Sequence, residues 1–316
     1  MSGTARTAGH GEDPARAPGT GGGGRGARGA SVASPLIAVT GLGLWIAGCP
    51  SAAAWVAGTR DPEVIRPRGL ALDRVNRRRA SLVGRALADV AAQAMEAARA
   101  DPATIATVIG SSLGEAATMI GLLEQMWRTR TPMSPAAFTM SVHNAASGLI
   151  SISNGNRGFT TSLAADDDTP AAALLEAAGL VAATGRPVLV ACADEAAPVD
   201  LVPDDQRFDL LAAAVVLAPG ALDAGEVLGA SDTRGARAAT DVREPVAAAA
   251  GACRAQLRLL LGREPDVAVA DLPPALARNP QAGLLDLVAA VLRGASGLVR
   301  LDRGGGAGWC AEIRTR

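Results

Sequence analysis

The chain has 316 residues, of which 49% are hydrophobic and only 2% aromatic, and its formal net charge is −1. This length is enough for one large domain or two smaller ones, and the apolar fraction supports a sizeable core of mainly small side chains. The balanced charge excludes the general basic field with which many proteins attract nucleic acids or anionic membranes.

The first 33 residues are rich in glycine, alanine and arginine. Such a segment cannot bury enough apolar surface to fold, so we predict that residues 1–33 form a disordered tail. The apolar run that follows ends in Ile-Ala-Gly-Cys at Cys49, which is similar to a lipoprotein signal. We favour a buried strand over Leu36–Thr40 and a glycine loop at Gly41–Gly43, because the leader is long for a signal peptide and Pro50 interrupts any membrane span.

Apolar strands alternate with helical patterns along the rest of the chain. We predict further strands at Thr104–Ile109, Phe159–Leu163, Val188–Ala193, Ala212–Leu217, Val267–Ala270 and Cys310–Ile313. We predict helices at Leu82–Met95, Glu115–Arg128, Ser141–Ser153, Ala171–Ala183, Val246–Leu261 and Gly283–Leu292, and a turn at Ser134–Phe138. This alternation is typical of an α/β fold in which helices cover the sheet.

Several segments resemble one known family. These are Ala106–Gly114 (ATVIGSSLG), Ser134–Gly148 (SPAAF…VHNAASG), Val188–Glu195 (VLVACADE) and, more weakly, Ala282–Val288 and Gly304–Trp309. They are similar to motifs of the β-ketoacyl synthases over residues 34–316, most specifically over about 104–196. The resemblance implies a thiolase-like layered αβαβα fold, with an N-terminal half at 34–220 and a compressed C-terminal half at 221–316.

The catalytic residues of that family are missing from this sequence. Condensation requires a cysteine thiolate at a helix N-terminus and two imidazoles that assist decarboxylation and stabilise developing charge. The resemblance places the cysteine position at Asp167 and the two histidine positions at Asp271 and Ala277. None of these can supply the family's chemistry, and Asp167 is equally explained as part of a helix-capping acidic turn, with Asp168 or Thr169 as the cap.

Other candidate site residues have structural explanations. The resemblance implies that an acyl pocket and a subunit interface are formed by Phe138, Met140, His143, Asn144, Phe159 and Thr161. Cys192 and Cys310 lie in apolar strands, where a thiol is inert. The run Asp166–Asp168 is better explained as a capping turn than as a Mg²⁺ site, because no second carboxylate cluster accompanies it. We therefore expect no metal and no cofactor.

The closest likeness within the family is to the Cys-less chain-length factors of polyketide and aryl polyene clusters. It implies a non-condensing subunit that forms a heterodimer with a Cys-containing ketosynthase and works with an acyl carrier protein. Nucleic-acid and membrane partners are not expected, and scattered unpaired cysteines suggest the reducing cytoplasm. Two alternatives stay open: a divergent acyltransferase or decarboxylase that uses Asp167 as an acid or base, and a degenerate homologue without activity.

Overall fold

The computed structural model of the chain describes residues 34–196, 198–199, 203, 206–220 and 251–315. The predicted tail at 1–33 and the first part of the predicted helix at 246–261 lie outside the described residues. Among the helices in these ranges, none is long and apolar enough to cross a membrane.

The described residues form strands and helices in alternation. The strands are β1 (Ile37–Ile46), β2 (Ala106–Gly110), β3 (Thr160–Leu163), β4 (Val188–Asp194), β5 (Leu211–Pro219), β6 (Ala255–Leu261), β7 (Gly297–Arg300) and β8 (Trp309–Thr315). The helices are α1 (Ala52–Val56), α2 (Arg74–Arg79), α3 (Leu82–Ala98), α4 (Ala116–Glu124), α5 (Pro135–Phe138), α6 (Ala145–Ser153), α7 (Thr169–Thr184), α8 (Pro274–Ala277) and α9 (Ala282–Leu292). A π-helical turn, Gln125–Thr129, extends α4, and a 3-10 turn, Asp166–Asp168, precedes α7.

These strands form one mixed eight-stranded sheet in the order β3-β2-β4-β5-β1-β6-β8-β7. β2 runs parallel to β3 and β4, and the remaining pairs are antiparallel. Alternate residues of β4 enter two different apolar cores: Val188 and Val190 pack with α7 and α9, whereas Leu189 and Ala191 pack with α3 and α6. Helices therefore cover both faces, and the predicted α/β class is confirmed.

α9 packs against separate parts of the sheet. This helix contacts both β5 and β7, and every residue from Ala282 to Val291 is buried. α9 also contacts β1 and β8. It therefore packs against both the central and the C-terminal strands of the sheet and belongs to the apolar core.

The predicted glycine loop at Gly41–Gly43 is wrong, because β1 continues through it to Ile46. α3 crosses β1 so closely that a Cβ atom at Gly41 would overlap the carbonyl oxygen of Ala94, and one at Gly43 would overlap that of Val90. The glycines therefore allow close helix–strand packing rather than a turn.

Two C-terminal predictions are also wrong. Ala255–Leu261, predicted as helix, is strand β6, in which Ala255, Leu257 and Leu259 are buried while Gln256 and Arg258 are only half-buried. Such a repeat of two residues is typical of a strand with one buried face. On the half-buried face, Arg258 forms an ion pair with Glu312 of the neighbouring strand β8 at 2.5 Å. Val267–Ala270 is not a strand.

The segment at 266–267 instead lies against the edge strand β7. The backbone N–H groups of Asp266 and Val267 both donate to Leu298 O at 3.1 Å, and the Asp266 carboxylate accepts from Leu298 N. The Asp266 carboxylate thus takes the place of a backbone carbonyl in the pairing with β7, which is why this strand-like sequence does not form a strand.

The predicted turn at Ser134–Phe138 contains the short helix α5, and α6 begins at Ala145 rather than at Ser141. The remaining predicted strands and helices are confirmed within a few residues.

Candidate functional site

The candidate site lies at the carboxyl ends of β2, β3 and β4. Because these three strands are parallel neighbours, the residues that follow them meet at one edge of the sheet, where ligands bind in many open α/β sheets. Ser111 and Ser112 follow β2, the turn Asp166–Asp168 follows β3, and Asp194 ends β4. A glycine-rich loop between β7 and β8, residues 302–308, faces the same turn.

The acidic turn is held in a defined conformation. Asp166 has a φ of +46°, a left-handed conformation that is costly for most residues other than glycine. Its carbonyl oxygen accepts from Ser112 Oγ at 2.8 Å and from Thr169 Oγ1 at 2.7 Å, and Thr169 Oγ1 in turn accepts from Ala165 N at 2.9 Å. These bonds fix the turn at the start of α7, the position that the resemblance assigns to the nucleophile.

The carboxylates of this turn are packed against the glycine loop. Asp168 occupies the N-cap position of α7, but its side chain caps nothing and accepts from Ala307 N at 3.0 Å. Asp302 accepts from Gly304 N at 2.8 Å and from Gly308 N at 2.7 Å. Three backbone N–H groups of the loop are therefore bound by carboxylates of the chain itself, and cannot also stabilise an oxyanion.

Asp167 contacts the same loop. A Cβ atom at Gly305 would overlap the Asp167 carboxylate, so only glycine permits this approach. Burial raises the pKa of Asp167, and the charges of Asp166, Asp302 and Asp168 raise it further. An aspartate in these surroundings holds its proton more tightly than an ordinary one, but it has no thiol chemistry.

Asp194 is the centre of a buried network that the sequence did not reveal. Its carboxylate accepts from Ser111 Oγ at 2.6 Å, Ser112 N at 2.9 Å and Gln281 Nε2 at 2.6 Å. Asn279 Nδ2 donates to the backbone oxygen of Asp194 at 2.9 Å. Asn279 and Gln281, not Ala277, thus connect the segment before α9 with this edge of the sheet. Their only signal in the sequence is a pair of amides directly before an apolar helix.

The side chains at the two positions assigned to the lost histidines take no part in this network. Asp271 is exposed ahead of α8, and Ala277 is half-buried at the end of that helix. Neither forms a hydrogen bond with Asp167 in the described part of the chain. His143 is the one histidine in the described ranges, and its Nε2 lies 2.7 Å from the backbone oxygen of Ser111, with the ring against Gly114.

The three buried cysteines are not candidate nucleophiles. All four are free, and Cys49, Cys192 and Cys310 are buried. Burial raises the pKa of each of these three thiols, and for Cys192 the nearby Asp194 charge raises it further. In the ranges that the structure describes, no group of three His, Cys, Asp or Glu side chains could hold a metal ion.

The residues assigned to an acyl pocket or interface lie on a surface with many exposed apolar side chains. Of the eighteen exposed large hydrophobic residues in the described part, nine lie between Met119 and Phe159, a concentration that favours a contact surface over scattered exposure. We call these nine the α4–β3 surface: Met119, Leu123, Met126, Trp127, Met133, Phe138, Val142, Ile152 and Phe159. Asn144 is exposed beside them, Thr161 is half-buried on β3, and Met140 lines a pocket near α5.

Two carboxyl groups lie close to each other near the N-terminus of α3. Burial raises the pKa of Glu195 to about 7, and the charge of Glu115 also raises it, whereas a hydrogen bond from Val83 N lowers it. Burial likewise raises the pKa of Glu115, against hydrogen bonds from Ser81 and Thr118. The folded chain therefore binds a proton at Glu195 more tightly than the unfolded chain does.

This difference predicts a pH dependence of stability. The contribution of Glu195 is fully present below its ordinary pKa of 4.5 and is lost as pH rises through about 7. We expect Glu195→Gln to reduce the fall in Tm between pH 5 and pH 8, because glutamine does not titrate. Thermal unfolding at pH 5 and pH 8 measures this fall in Tm, and Glu176→Gln, at an exposed position, is the control. An unchanged pH dependence in Glu195→Gln would contradict this assignment.

Comparison with known proteins bears on the family and the fold. Residues 50–261 match the family model for the β-ketoacyl synthase N-terminal domain, and no curated protein matches the chain. A solved structure of a ketosynthase (ApeO) in complex with its chain length factor (ApeC), from Xenorhabdus doucetiae, matches with a TM-score of 0.60 at 18% identity. The match covers 89% of this chain and 100% of that chain.

A β-ketoacyl synthase from Burkholderia phymatum STM815 is less similar, with a TM-score of 0.45 and 15% identity over 58% of this chain and 59% of that one. The likeness to the Xenorhabdus structure concerns the fold. It confirms the predicted thiolase-like fold, which this chain builds on one continuous sheet.

Proposed function

The chain belongs to the β-ketoacyl synthase N-terminal-domain family, and we propose that it is a non-condensing subunit of the chain-length-factor type. The observation that carries this proposal is the turn before α7. Where the family resemblance expects a thiol, Asp166–Asp168 present only carboxylates, and Asp168 and Asp302 bind the backbone N–H groups of the facing loop. Among the described residues, this turn offers no thiol, and the three loop N–H groups that Asp168 and Asp302 bind are not available to an oxyanion.

The proposed partner is a Cys-containing ketosynthase. The α4–β3 surface carries nine exposed apolar side chains, and among the described strands β3 lies at the edge of the sheet, paired only with β2. An edge strand beside an apolar surface is suited to pairing with a strand of another subunit. The Xenorhabdus structure, which contains a ketosynthase and its chain length factor, supports such an assembly by its similar fold. We further propose that the pair uses an acyl carrier protein in the cytoplasm.

One observation favours a second candidate, an acyltransferase or decarboxylase that uses Asp167. Burial and three neighbouring carboxylates raise the pKa of this group, as a general acid requires. Against it, the glycine loop lies against the Asp167 carboxylate, which is half-buried and thus only partly accessible to a substrate. The non-condensing subunit therefore remains the preferred function.

Incubation with acyl- and malonyl-carrier proteins tests the proposal. We expect the chain alone to form no covalent acyl adduct by intact mass, and to co-purify with a co-expressed Cys-containing ketosynthase. In the mixture, the acyl group should appear on the ketosynthase only. A stable adduct on this chain would reveal an unrecognised nucleophile. A chain that stays monomeric and ignores the ketosynthase in size-exclusion chromatography would instead favour the Asp167 candidate or a protein without activity.

A further inference from the structure

A pocket of about 320 Å³ opens beside the N-terminus of α3, on the side of α4 and α5. Its volume is at the lower end of the range for small-molecule sites, roughly 300–1,000 Å³. One wall is apolar and includes Ala137 and Met140, while Arg79, Ser81, Glu115 and Thr118 supply the polar groups. It is formed by different residues from the acidic turn and the glycine loop.

The inner end of the pocket is a buried carboxyl group. Glu115 is only 4% exposed, and its Oε1 accepts from Ser81 Oγ at 2.9 Å. Ser81 Oγ also accepts from Gly84 N at 3.0 Å as the N-cap of α3, so its proton is directed to Glu115. Thr118 Oγ1 lies 3.4 Å from Oε2, a long and weak contact. Within the described ranges, no cation pairs with Glu115.

The outer end of the pocket carries the opposite charge. Arg79 ends α2, is exposed, and forms no ion pair among the residues that the structure describes. The pocket thus has a hydrogen-bonding inner end, an apolar wall and a cationic mouth. A hydrocarbon tail would cover the Glu115 carboxyl without offering it a hydrogen bond, which is unfavourable for a buried polar group.

We propose that this pocket binds an acyl chain with a hydroxyl group at its inner end, which hydrogen-bonds to Glu115, and an anionic head group at Arg79. That the ligand is an acyl chain rests on the proposed function. The requirement for a hydroxyl group rests on the pocket alone. Glu115 is therefore a specificity-determining residue, because a site built to hydrogen-bond a ligand hydroxyl discriminates against the analogue that lacks it.

Calorimetric titration of the full chain with 8-hydroxyoctanoate and with octanoate tests the proposal. We expect the hydroxylated acid to bind about tenfold more tightly. Glu115→Leu should abolish this preference, and Glu115→Gln, which keeps a hydrogen-bonding group, should retain most of it. Arg79→Gln should weaken the binding of both acids by the same factor, since both carry the carboxylate. Glu124→Leu, at the half-buried C-terminal residue of α4 and outside the pocket, is the matched control and should change the affinity for neither acid.

The proposal is overturned if the wild-type chain binds the two acids equally, binds neither, or keeps its preference in Glu115→Leu. These titrations use the chain without a partner. A hydroxyl preference that depends on Glu115 in a chain that forms no complex would support the pocket and count against the proposed subunit role. A chain that forms the complex but shows no hydroxyl preference would support the proposed subunit role and overturn the proposal for the pocket.

Discussion

Gly41→Ala is expected to destabilise the chain by about 3 kcal/mol or more, a large part of the stability of a typical domain. Gly41 lies in the middle of β1, beneath α3, and an added methyl group would overlap the carbonyl oxygen of Ala94 and approach the side chain of Ala98. The obstructing oxygen belongs to a helix backbone and cannot turn aside as a flexible side chain could. Strand and helix would have to separate, which would open the core between them.

Gly179→Ala is the matched control. Gly179 lies within α7, and nothing occupies the space around the position of its Cβ atom. Alanine there should stabilise the helix by up to about 1 kcal/mol. Urea unfolding of the two variants and the parent chain gives the comparison. Similar midpoints for Gly41→Ala and the parent would mean that α3 does not pack on β1 as closely as described.

Phe159→Asp is expected to weaken the complex with a Cys-containing ketosynthase by about 30-fold or more, the loss typical of a central aromatic residue at an interface. Phe159 is 50% exposed, directly precedes β3 and holds the strand in register by accepting from Thr107 N at 2.8 Å. Aspartate would place a charge on the α4–β3 surface. Thr161→Asp, on β3 itself, should act in the same direction.

Ile65→Asp provides the comparison for this effect. Like Phe159, Ile65 is a large apolar side chain, and it is 67% exposed, but it lies outside the α4–β3 surface. Size-exclusion chromatography and a binding titration should show an intact complex for Ile65→Asp and a weakened one for Phe159→Asp, with unchanged circular dichroism for both. Equal affinities for the two variants would place the interface elsewhere on the molecule.

Most of the strands could be predicted because they are continuous apolar runs of the right length. Val188–Ala193 is an example, since both faces of β4 are buried and no polar residue interrupts it. The errors arose where tertiary contacts decide the structure. In the sequence, Gly41 and Gly43 have the pattern of a turn, and only the close packing of α3 on β1 explains them as part of a strand. In β6, the alternation that marks a strand covers only the last seven residues of a longer predicted helix.

The candidate site could be predicted only in part, for a related reason. The acidic turn is local in sequence, so the resemblance to a family could point to it. Its contacts come from far along the chain: Asp168 bonds to Ala307, 139 residues away, and Ser112 bonds to Gln281, 169 residues away. No spacing rule relates residues so distant. An aspartate that binds backbone N–H groups also looks, in a sequence, like any other aspartate.

The position of β1 within the sheet has a consequence during synthesis of the chain. All ten of its residues are buried, and its main partner is β5, so that Thr40 Oγ1 donates to Val216 O across 176 residues. At roughly 5–20 residues per second, a ribosome needs roughly 10–35 s to make that interval. Throughout it, β1 is an apolar strand without its neighbour, the kind of segment that aggregates. A chaperone that holds the nascent chain until β5 emerges would therefore raise the yield of soluble protein.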